Sequence, residues 1–526
     1  MRVLVTDAVA EEGLAYLRDH GVEVELLLKA PLATLHERLP ECDALITRSG
    51  TAVTAELLDH APRLRFVGRA GVGVDNIDVE ACSRRGIVVA NAPYGNVVSA
   101  AEHTLAMLLA LVRRIPEAHG RLKQLEWNRG IYGSELARKT VGVVGLGKVG
   151  SRVAARLRAF ETTVLGYDPY IPEARAREVG AQLTDFETLL RESDVITVHV
   201  PLTSETEHMI SAAELAQTKR GVRLVNCARG GIIHEGDLLA ALESGQVAGA
   251  AIDVWSEEPP TTAPLTTLIQ HPRVVVTPHL GANSTEAQVN VAVDVARQLV
   301  AFRDGDLVEF AVNIPVEDPG LVGELRPFVA LADRLGRFIV QLDPENVASV
   351  EVTVAGAIAE RDPEILARAV LGGLLDPVTD ERVNLVNARL VAAERGIHVS
   401  VSKEEETSGY KSLLTVAVEA RGGRKALAGT VFDGQPRIVR MRDLKIEFTP
   451  EGYILVLSYE DRPGVVGAIG TLLGRRNINI AAMHVGRRVR RGRAIVVLIL
   501  DEDLTQEQLD EVTRTIGADF ARLIRL

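Results

Sequence analysis

The stretch "TVGVVGLGKVGSRVAARLRAF" (140–160) constrains the fold more than any other part of the chain. A short apolar run rich in β-branched residues meets three glycines in G-x-G-x-x-G spacing, and a helical pattern follows. Gly145 permits a tight turn, Gly147 lets a ligand approach the backbone closely, and Gly150 lets the helix pack on the strand. The helix opening there offers free N–H groups and the positive end of its dipole to an anion. The next apolar run, "TTVLGYD", ends at Asp168, 18 residues beyond Gly150. A carboxylate in that place accepts hydrogen bonds from the ribose hydroxyls of NAD and repels the extra phosphate of NADP. Strand, turn, helix and acid in this order predict an NAD-binding unit. A glycine turn without a ligand is the alternative.

The flanking sequence extends this unit. Apolar runs at 141–145, 163–168, 195–200, 222–227, 249–253 and 273–276 predict six strands of one parallel sheet. Before them, "RVLVTD", "VEVELLL", "DALITR", "LRFVGRA" and "GIVVANAP" predict a first α/β series. A long helical pattern at 99–113 and a linking stretch to about 138 join the two series. A helix near 285–302 is expected to carry the chain back to the first series. "NIPVEDPG" (313–320) reads as a linker. Residues 320–448 mix helices and strands and carry no catalytic signature. Residues 452–526 read βαββαβ, the ferredoxin-like order. "GRAGVGVDNID" (68–78) carries only part of the glycine fingerprint, and no acid-terminated strand follows it. It is read as a turn approaching the substrate or cofactor from the first unit.

Composition narrows the partners. A net charge of -12 argues against nucleic acid or an anionic membrane as the main partner. Three cysteines in 526 residues give no disulfide framework and suit a reducing compartment. "LAMLLALV" (105–112) is far too short to span a bilayer, and the first residues lack a signal-peptide pattern. The expectation is a cytoplasmic protein with no metal site. The five arginines of "GRRVRRGR" (486–493) read as a solvated hairpin turn.

Three charged residues stand at or just beyond predicted strand ends in the second series: Arg229, Glu258 and His279. Ligands of open α/β sheets bind at the C-terminal ends of strands. Taken singly, Arg229 can be a satisfied internal cation, Glu258 a loop acid beside Glu257, and His279 a structural residue. Taken together they suit the oxidation of a 2-hydroxy acid. A histidine removes the hydroxyl proton, a carboxylate beside it fixes its tautomer, and an arginine grips the substrate carboxylate. His234 has no assigned work.

The motifs "GLGKVG", "NCARGGIIHEG", "AIDVWSEEP" and "TPHLGA" together resemble the D-isomer-specific 2-hydroxyacid dehydrogenase family over residues 1–315. The resemblance implies that Arg229 orients substrate and that His279 with Glu258 forms the acid–base pair. It implies NAD contacts at Gly145, Gly147, Lys148, Val149, Gly150, Asp168, Val200, Cys227, Ala228, Arg229 and Asp253, and along the turn His279, Leu280, Gly281 and Ala282. The tail "GYILVLSYEDRPGVVGAIGTLLGRRNINIAAMHVGR" looks like an ACT domain. Core, intervening region and ACT end together resemble the long-form phosphoglycerate dehydrogenases of that family. Those enzymes oxidise D-3-phosphoglycerate to 3-phosphohydroxypyruvate at the opening of serine biosynthesis.

The implied architecture is α/β: a flavodoxin-like substrate domain (1–98 and 286–314) and a Rossmann-like NAD domain (99–285). An α+β intervening domain (315–448) and a ferredoxin-like ACT domain (452–526) follow. The resemblance further implies substrate contacts at Arg48, Arg69 and Asn96, and L-serine as effector at Tyr459, Asp461 and Asn479. It implies a homotetramer. Another D-2-hydroxyacid oxidoreductase, of the glyoxylate or hydroxypyruvate reductase type, leaves the C-terminal half unexplained. A non-enzymatic NAD-sensing protein on the same fold leaves the intact Arg229, Glu258 and His279 unexplained.

Overall fold

The computed structural model describes residues 1–315, 322–342, 347–379, 382–421, 423–487, 489 and 491–526. Most of the expected linker 313–320 therefore lies outside the described residues, as do Arg488 and Arg490 of the arginine-rich turn.

The first sheet holds β1 (Arg2–Val5), β2 (Glu23–Leu26), β3 (Ala44–Thr47), β4 (Phe66–Arg69) and β5 (Val88–Asn91). Its order is β2-β1-β3-β4-β5 and every pairing is parallel, the flavodoxin-like arrangement. All four residues of β3 are buried, as a strand covered on both faces requires. The long helix Thr285–Arg303 packs against the helix Glu11–Asp19 of this unit. The chain then adds to the sheet edge, where Val312 N donates to Val89 O at 2.6 Å.

The second sheet holds β6 (Thr140–Val144), β7 (Thr163–Tyr167), β8 (Gln182–Leu183), β9 (Val195–Val198), β10 (Val222–Asn226), β11 (Val247–Ile252) and β12 (Val274–Val276). The order is β12-β11-β10-β9-β6-β7-β8, again parallel. The chain reverses its direction of travel across the sheet between β6 and β9, which opens a crevice at the C-terminal strand ends. The sequence predicts six strands here and the structure has seven. The extra strand, β8, is two residues long and pairs only with Leu165 and Gly166, too short to leave a periodic pattern. The helix Val97–Arg113 joins the two units and buries Ala101, Leu105, Leu108 and Val112 along one stripe. The linking stretch after it contains a further helix, Ile115–Lys123, which buries none of its residues.

The third sheet holds β13 (Ser349–Gly356), β14 (His398–Glu404), β15 (Ser412–Ala420), β16 (Gly423–Phe432), β17 (Gln435–Met441) and β18 (Leu444–Phe448). Its order is β14-β13-β15-β16-β17-β18, antiparallel except for β13 with β14. The helices Val322–Leu342 and Glu364–Leu375 meet at glycines. A Cβ on Gly336 would come within 2.1 Å of Val370 O, and one on Gly373 within 2.0 Å of Asp333 O.

The fourth sheet holds β19 (Tyr453–Glu460), β20 (Ile480–Arg487), β21 (Arg493–Leu500) and β22 (Phe520–Arg525). With the helices Val465–Arg475 and Gln506–Ile516 it has the expected βαββαβ order, and the strands run β20-β21-β19-β22. Leu455, Leu457 and Tyr459 pack with the unit's own helices. Ile454 and Val456, on the other face, join the core that runs through the third sheet. No helix among the described residues is long and apolar enough to cross a membrane.

Candidate active site

The glycine turn has the geometry its spacing predicts. Gly145 sits at φ +89°, where a side chain is strained, and its N–H donates to Tyr167 O at 2.8 Å. A Cβ on Gly150 would lie 1.9 Å from Gly145 O, so only glycine lets the helix Lys148–Leu157 sit this close to the turn. Gly147 is the N-cap of that helix, and a Cβ there would meet nothing within 4 Å. The space in front of Gly147 is therefore open, and the first turn of the helix directs unpaired N–H groups to it. Asp168 follows β7 directly, beside this turn. Its Oδ2 accepts from Leu146 N at 2.9 Å and its Oδ1 from Tyr170 N at 3.0 Å. Open cradle, free N–H groups and fixed acid fit a dinucleotide. Lys148 reaches back across the crevice, with Nζ 3.9 Å from the ring centre of Tyr94. Burial pulls its ammonium pKa down.

His279 and Glu258 meet at the ends of β12 and β11. His279 Nδ1 lies 2.8 Å from Glu258 Oε2 and 3.1 Å from Oε1. Glu258 also accepts from Trp255 N at 3.1 Å. Burial alone would raise the Glu258 pKa, but the His279 hydrogen bond and charge outweigh it and hold the carboxyl below its ordinary value. Glu257 instead caps Thr261 and Thr262. The proline-adjacent glutamate is thus the one that reaches the histidine.

His279 itself stands at φ +57°, an unusual place for a residue with a Cβ. Asp253, at the end of β11, holds that turn from behind. Its backbone carbonyl accepts from His279 N at 2.8 Å. Its side chain is 0% exposed and accepts from Thr277 Oγ1 (2.6 Å), Leu280 N (2.8 Å) and Gly281 N (2.9 Å). His103 Nε2, from the helix Val97–Arg113, lies 3.1 Å from the same carboxylate. Burial opposes the charge, yet the bonds from His103, Thr277 and Leu280 prevail and bring the Asp253 pKa down to about 2. His103, Cys227 and Asp253 place ligand-type atoms within 4.8 Å of one another. The carboxylate is already taken up by these donors, and burial drives the Cys227 thiol pKa far up, so a hydrogen-bonded cluster suits these residues better than a metal.

Arg229 follows β10 and faces the first unit. Nε lies 3.2 Å from Asp75 Oδ2, and Nη1 donates to Ala228 O at 2.7 Å. Asn226 shapes the turn, accepting from Ala228 N and donating to Arg229 O. A Cβ on Gly73 would lie 2.3 Å from Arg229 Nη2, so the loop 71–75 lies directly against this guanidinium. Arg69, at the end of β4, is largely buried, and its Nε has no partner. Burial first, then the charges of Arg229 and Arg48, lower its pKa to about 10, against the pull of Asp75 and Asp7. Arg48 sits at the end of β3, and its backbone N–H is fixed by Asp7 at 2.7 Å. Asn96 is the N-cap of the helix Val97–Arg113. Arg48, Arg69 and Arg229 thus share one electrostatic neighbourhood at the cleft.

Val200 and Cys227 stand just past the ends of β9 and β10, and Ala228 and Ala282 lie in the turns beside them. Of the effector candidates, Tyr459 is 1% exposed in the core of the fourth unit. Asp461 pairs with Arg487, and Asn479 Nδ2 donates to Asp501 Oδ2 at 2.6 Å. His234 has a structural place as N-cap of the helix Glu235–Ser244, 2.9 Å from Asp237 and edge-on to His208. Sequence reasoning missed the parts played by His103, Thr277 and Asp75: His103 comes from a distant helix, while Thr277 and Asp75 lie in the quoted stretches "TPHLGA" and "GRAGVGVDNID", whose side-chain partners only the tertiary fold sets.

Fold and site define an NAD-binding dehydrogenase of 2-hydroxy acids. The family model for the D-isomer specific 2-hydroxyacid dehydrogenase NAD binding domain matches residues 105–281. The D-3-phosphoglycerate dehydrogenase intervening domain matches 324–442, and the ACT domain 453–517. The chain is 43% identical to D-3-phosphoglycerate dehydrogenase of Archaeoglobus fulgidus, over 100% of both chains. It is 42% identical to that of Bacillus subtilis, over 100% of this chain and 99% of the other. Among solved structures, D-lactate dehydrogenase from Aquifex aeolicus complexed with NAD and lactic acid matches at 32% identity and TM-score 0.54. That match covers 60% of this chain and 100% of the other. The chain belongs to the D-3-phosphoglycerate dehydrogenase family.

Proposed function

We propose that the protein oxidises D-3-phosphoglycerate to 3-phosphohydroxypyruvate with NAD, in the cytoplasm, as the first step of serine synthesis. The observation that carries this reading is the His279–Glu258 pair at 2.8 Å, opening onto the cleft that Arg229 shares with Arg48 and Arg69. Gly145, Gly147, Lys148, Val149, Gly150 and Asp168 would hold the cofactor. NAD, when bound there, would supply the acceptor for the hydride that leaves the carbinol carbon. His279 takes the hydroxyl proton on Nε2, since Nδ1 is engaged with Glu258. The ionised Glu258 stabilises the imidazolium that results. Arg229 grips the substrate carboxylate, and Arg48 with Arg69, whose Nε has no hydrogen-bond partner, receives the phosphate. Asn96 lies at the crossing between units as a further substrate contact.

The division into domains at 1–98 with 286–314, 99–285, 315–448 and 452–526 belongs to the same reading. We also infer that L-serine binds the ACT unit through Asp461 and Asn479, with Tyr459 shaping the site from beneath, and lowers activity. The assembly is a homotetramer. In support, the linking stretch exposes Ile115, Leu122, Leu125, Trp127 and Tyr132, with Trp127 81% exposed, an apolar surface that a second copy would cover.

The test is NADH formation from 3-phosphoglycerate. His279→Ala should lose most turnover and keep NAD binding. Good turnover of glycerate or lactate with none of 3-phosphoglycerate would refute the substrate. Light scattering checks the tetramer. Saturating serine that moved neither activity nor melting temperature would refute the effector.

A further inference from the structure

We propose that Asp75 is a substrate-mimicking counter-ion. Its carboxylate occupies Arg229, and an incoming substrate carboxylate displaces it, so Asp75 sets the affinity for the anionic substrate. The inference rests on the reading of Arg229 as the carboxylate grip.

The geometry favours competition over support. A bidentate grip uses two adjacent N–H donors of the guanidinium. In the structure Nε faces Asp75 at 3.2 Å, and Nη1 is satisfied by Ala228 O. A carboxylate that takes the Nε–Nη2 edge has to replace Asp75. The Asp75 side chain is 75% exposed, and its contact with Arg229 is long and monodentate, the kind of ion pair that contributes least and is most easily exchanged.

Asp75 is also the acid free to yield. Around Arg69, the charges of Arg48 and Arg229 are set against two carboxylates, Asp75 and Asp7. Asp7 is fixed, accepting from Thr47 Oγ1 (2.9 Å), Arg48 N (2.7 Å) and Thr51 N (3.2 Å). The backbone beside Asp75 is fixed as well. Asn76 Nδ2 donates to Arg48 O (2.7 Å) and Thr51 O (2.6 Å), and Ile77 N donates to Val74 O (2.9 Å). The Asp75 carboxylate can therefore leave Arg229 without disturbing the loop. Once displaced, its charge still repels the substrate's anionic groups.

The experiment compares the full-length protein with Asp75→Asn, Asp75→Ala and Asp75→Glu. KM for 3-phosphoglycerate is measured at saturating NAD. Its Kd is measured by calorimetry on the NADH-loaded enzyme, where no turnover occurs. Asp75→Asn and Asp75→Ala should each lower KM and Kd by about threefold to tenfold, the span expected from a weak ion pair and a removed like charge. Asp75→Glu should stay within about twofold of the parent, because the charge is kept. Unchanged or raised KM and Kd in both neutral variants, at the parent's melting temperature, would overturn the proposal and make Asp75 a support for Arg229 or a bystander. Absence of 3-phosphoglycerate turnover in the parent itself would overturn the proposed function instead, so the two failures are told apart.

Discussion

Asp253→Asn probes how the His279 turn is held. In the structure one carboxylate oxygen receives Thr277 Oγ1 at 2.6 Å and Leu280 N at 2.8 Å, and lies 3.1 Å from His103 Nε2. The other receives Gly281 N at 2.9 Å. Asparagine keeps a single acceptor oxygen. Wherever that oxygen goes, the amide NH2 faces a backbone N–H, and one buried donor is left without a partner. That costs ~1–3 kcal/mol. The lowered pKa gives a second route to the magnitude. A carboxyl held at about 2 rather than 3.8 contributes roughly 2 kcal/mol at neutral pH. The two routes agree, and the melting transition of the NAD-binding unit should fall by ~4–8 °C.

The pH dependence has a definite sign. The folded pKa of Asp253 is depressed, so its stabilisation is present above the unfolded value and lost as pH falls through the folded one. The stability difference between parent and Asp253→Asn should be level from pH 8 to about 5 and shrink as pH drops below ~4. Turnover should fall as well. His279 at φ +57° pays roughly 1–2 kcal/mol for its backbone conformation, and the Asp253 bonds oppose its relaxation. A misplacement of about 1 Å is enough for a loss of ~10²-fold in kcat. Urea unfolding at several pH values, followed by steady-state kinetics, checks both parts. Equal stability and equal kcat in the variant would refute the reasoning, since the network would then hold nothing in place.

Glu258→Gln keeps an acceptor for Nδ1 of His279 but removes the charge. It should lower kcat/KM by ~10²-fold or more, read from steady-state kinetics. Gly150→Ala places a Cβ 1.9 Å from Gly145 O and should give a misfolded NAD unit, visible as a lost melting transition. Gly147→Ala meets no protein atom within 4 Å, so it should melt like the parent while its KM for NAD rises by about tenfold or more, because the methyl fills the cradle. Asp168→Ala should raise the KM for NAD and reduce discrimination against NADP by roughly tenfold, read from the ratio of kcat/KM values.

What the sequence makes legible is local. Gly145, Gly147 and Gly150 lie within six consecutive residues, and their backbone demands follow from that spacing alone. Strands buried on both faces, such as β3 and β9, appear as apolar runs interrupted by no more than a threonine. Glu258 is distinguishable from Glu257 only through the resemblance, and the structure supplies the reason: Glu257 is turned away to Thr261 and Thr262. His103 is illegible in the same terms. It sits between Glu102 and Thr104 in a helix 150 positions before Asp253 in the chain, and nothing in the helix pattern says which carboxylate it meets. Tyr459 shows a different limit. Its motif suggests an effector contact, but alternation along β19 turns it inward with Leu455 and Leu457, and a two-residue period does not say which face of a sheet is covered.

Asp75 and Tyr94 belong to the illegible part, and together they bear on how the cleft works. Each comes from the first unit and meets a cation of the second: Asp75 meets Arg229 and Tyr94 meets Lys148. Both contacts are weak by nature. An exposed cation–π pair contributes ~0.5–1 kcal/mol, and an exposed monodentate ion pair ~0–1 kcal/mol. Charge-assisted bonds to phosphate or carboxylate are stronger than either. On the proposed reading, the cofactor pyrophosphate competes for Lys148 and the substrate carboxylate for Arg229. The cleft is then bridged at two points by contacts that its own ligands outcompete. Binding exchanges protein–protein contacts for protein–ligand ones without leaving either cation bare at any stage. This arrangement also explains why Arg229 tolerates its position at the end of a buried strand: the guanidinium has an anion beside it in both states.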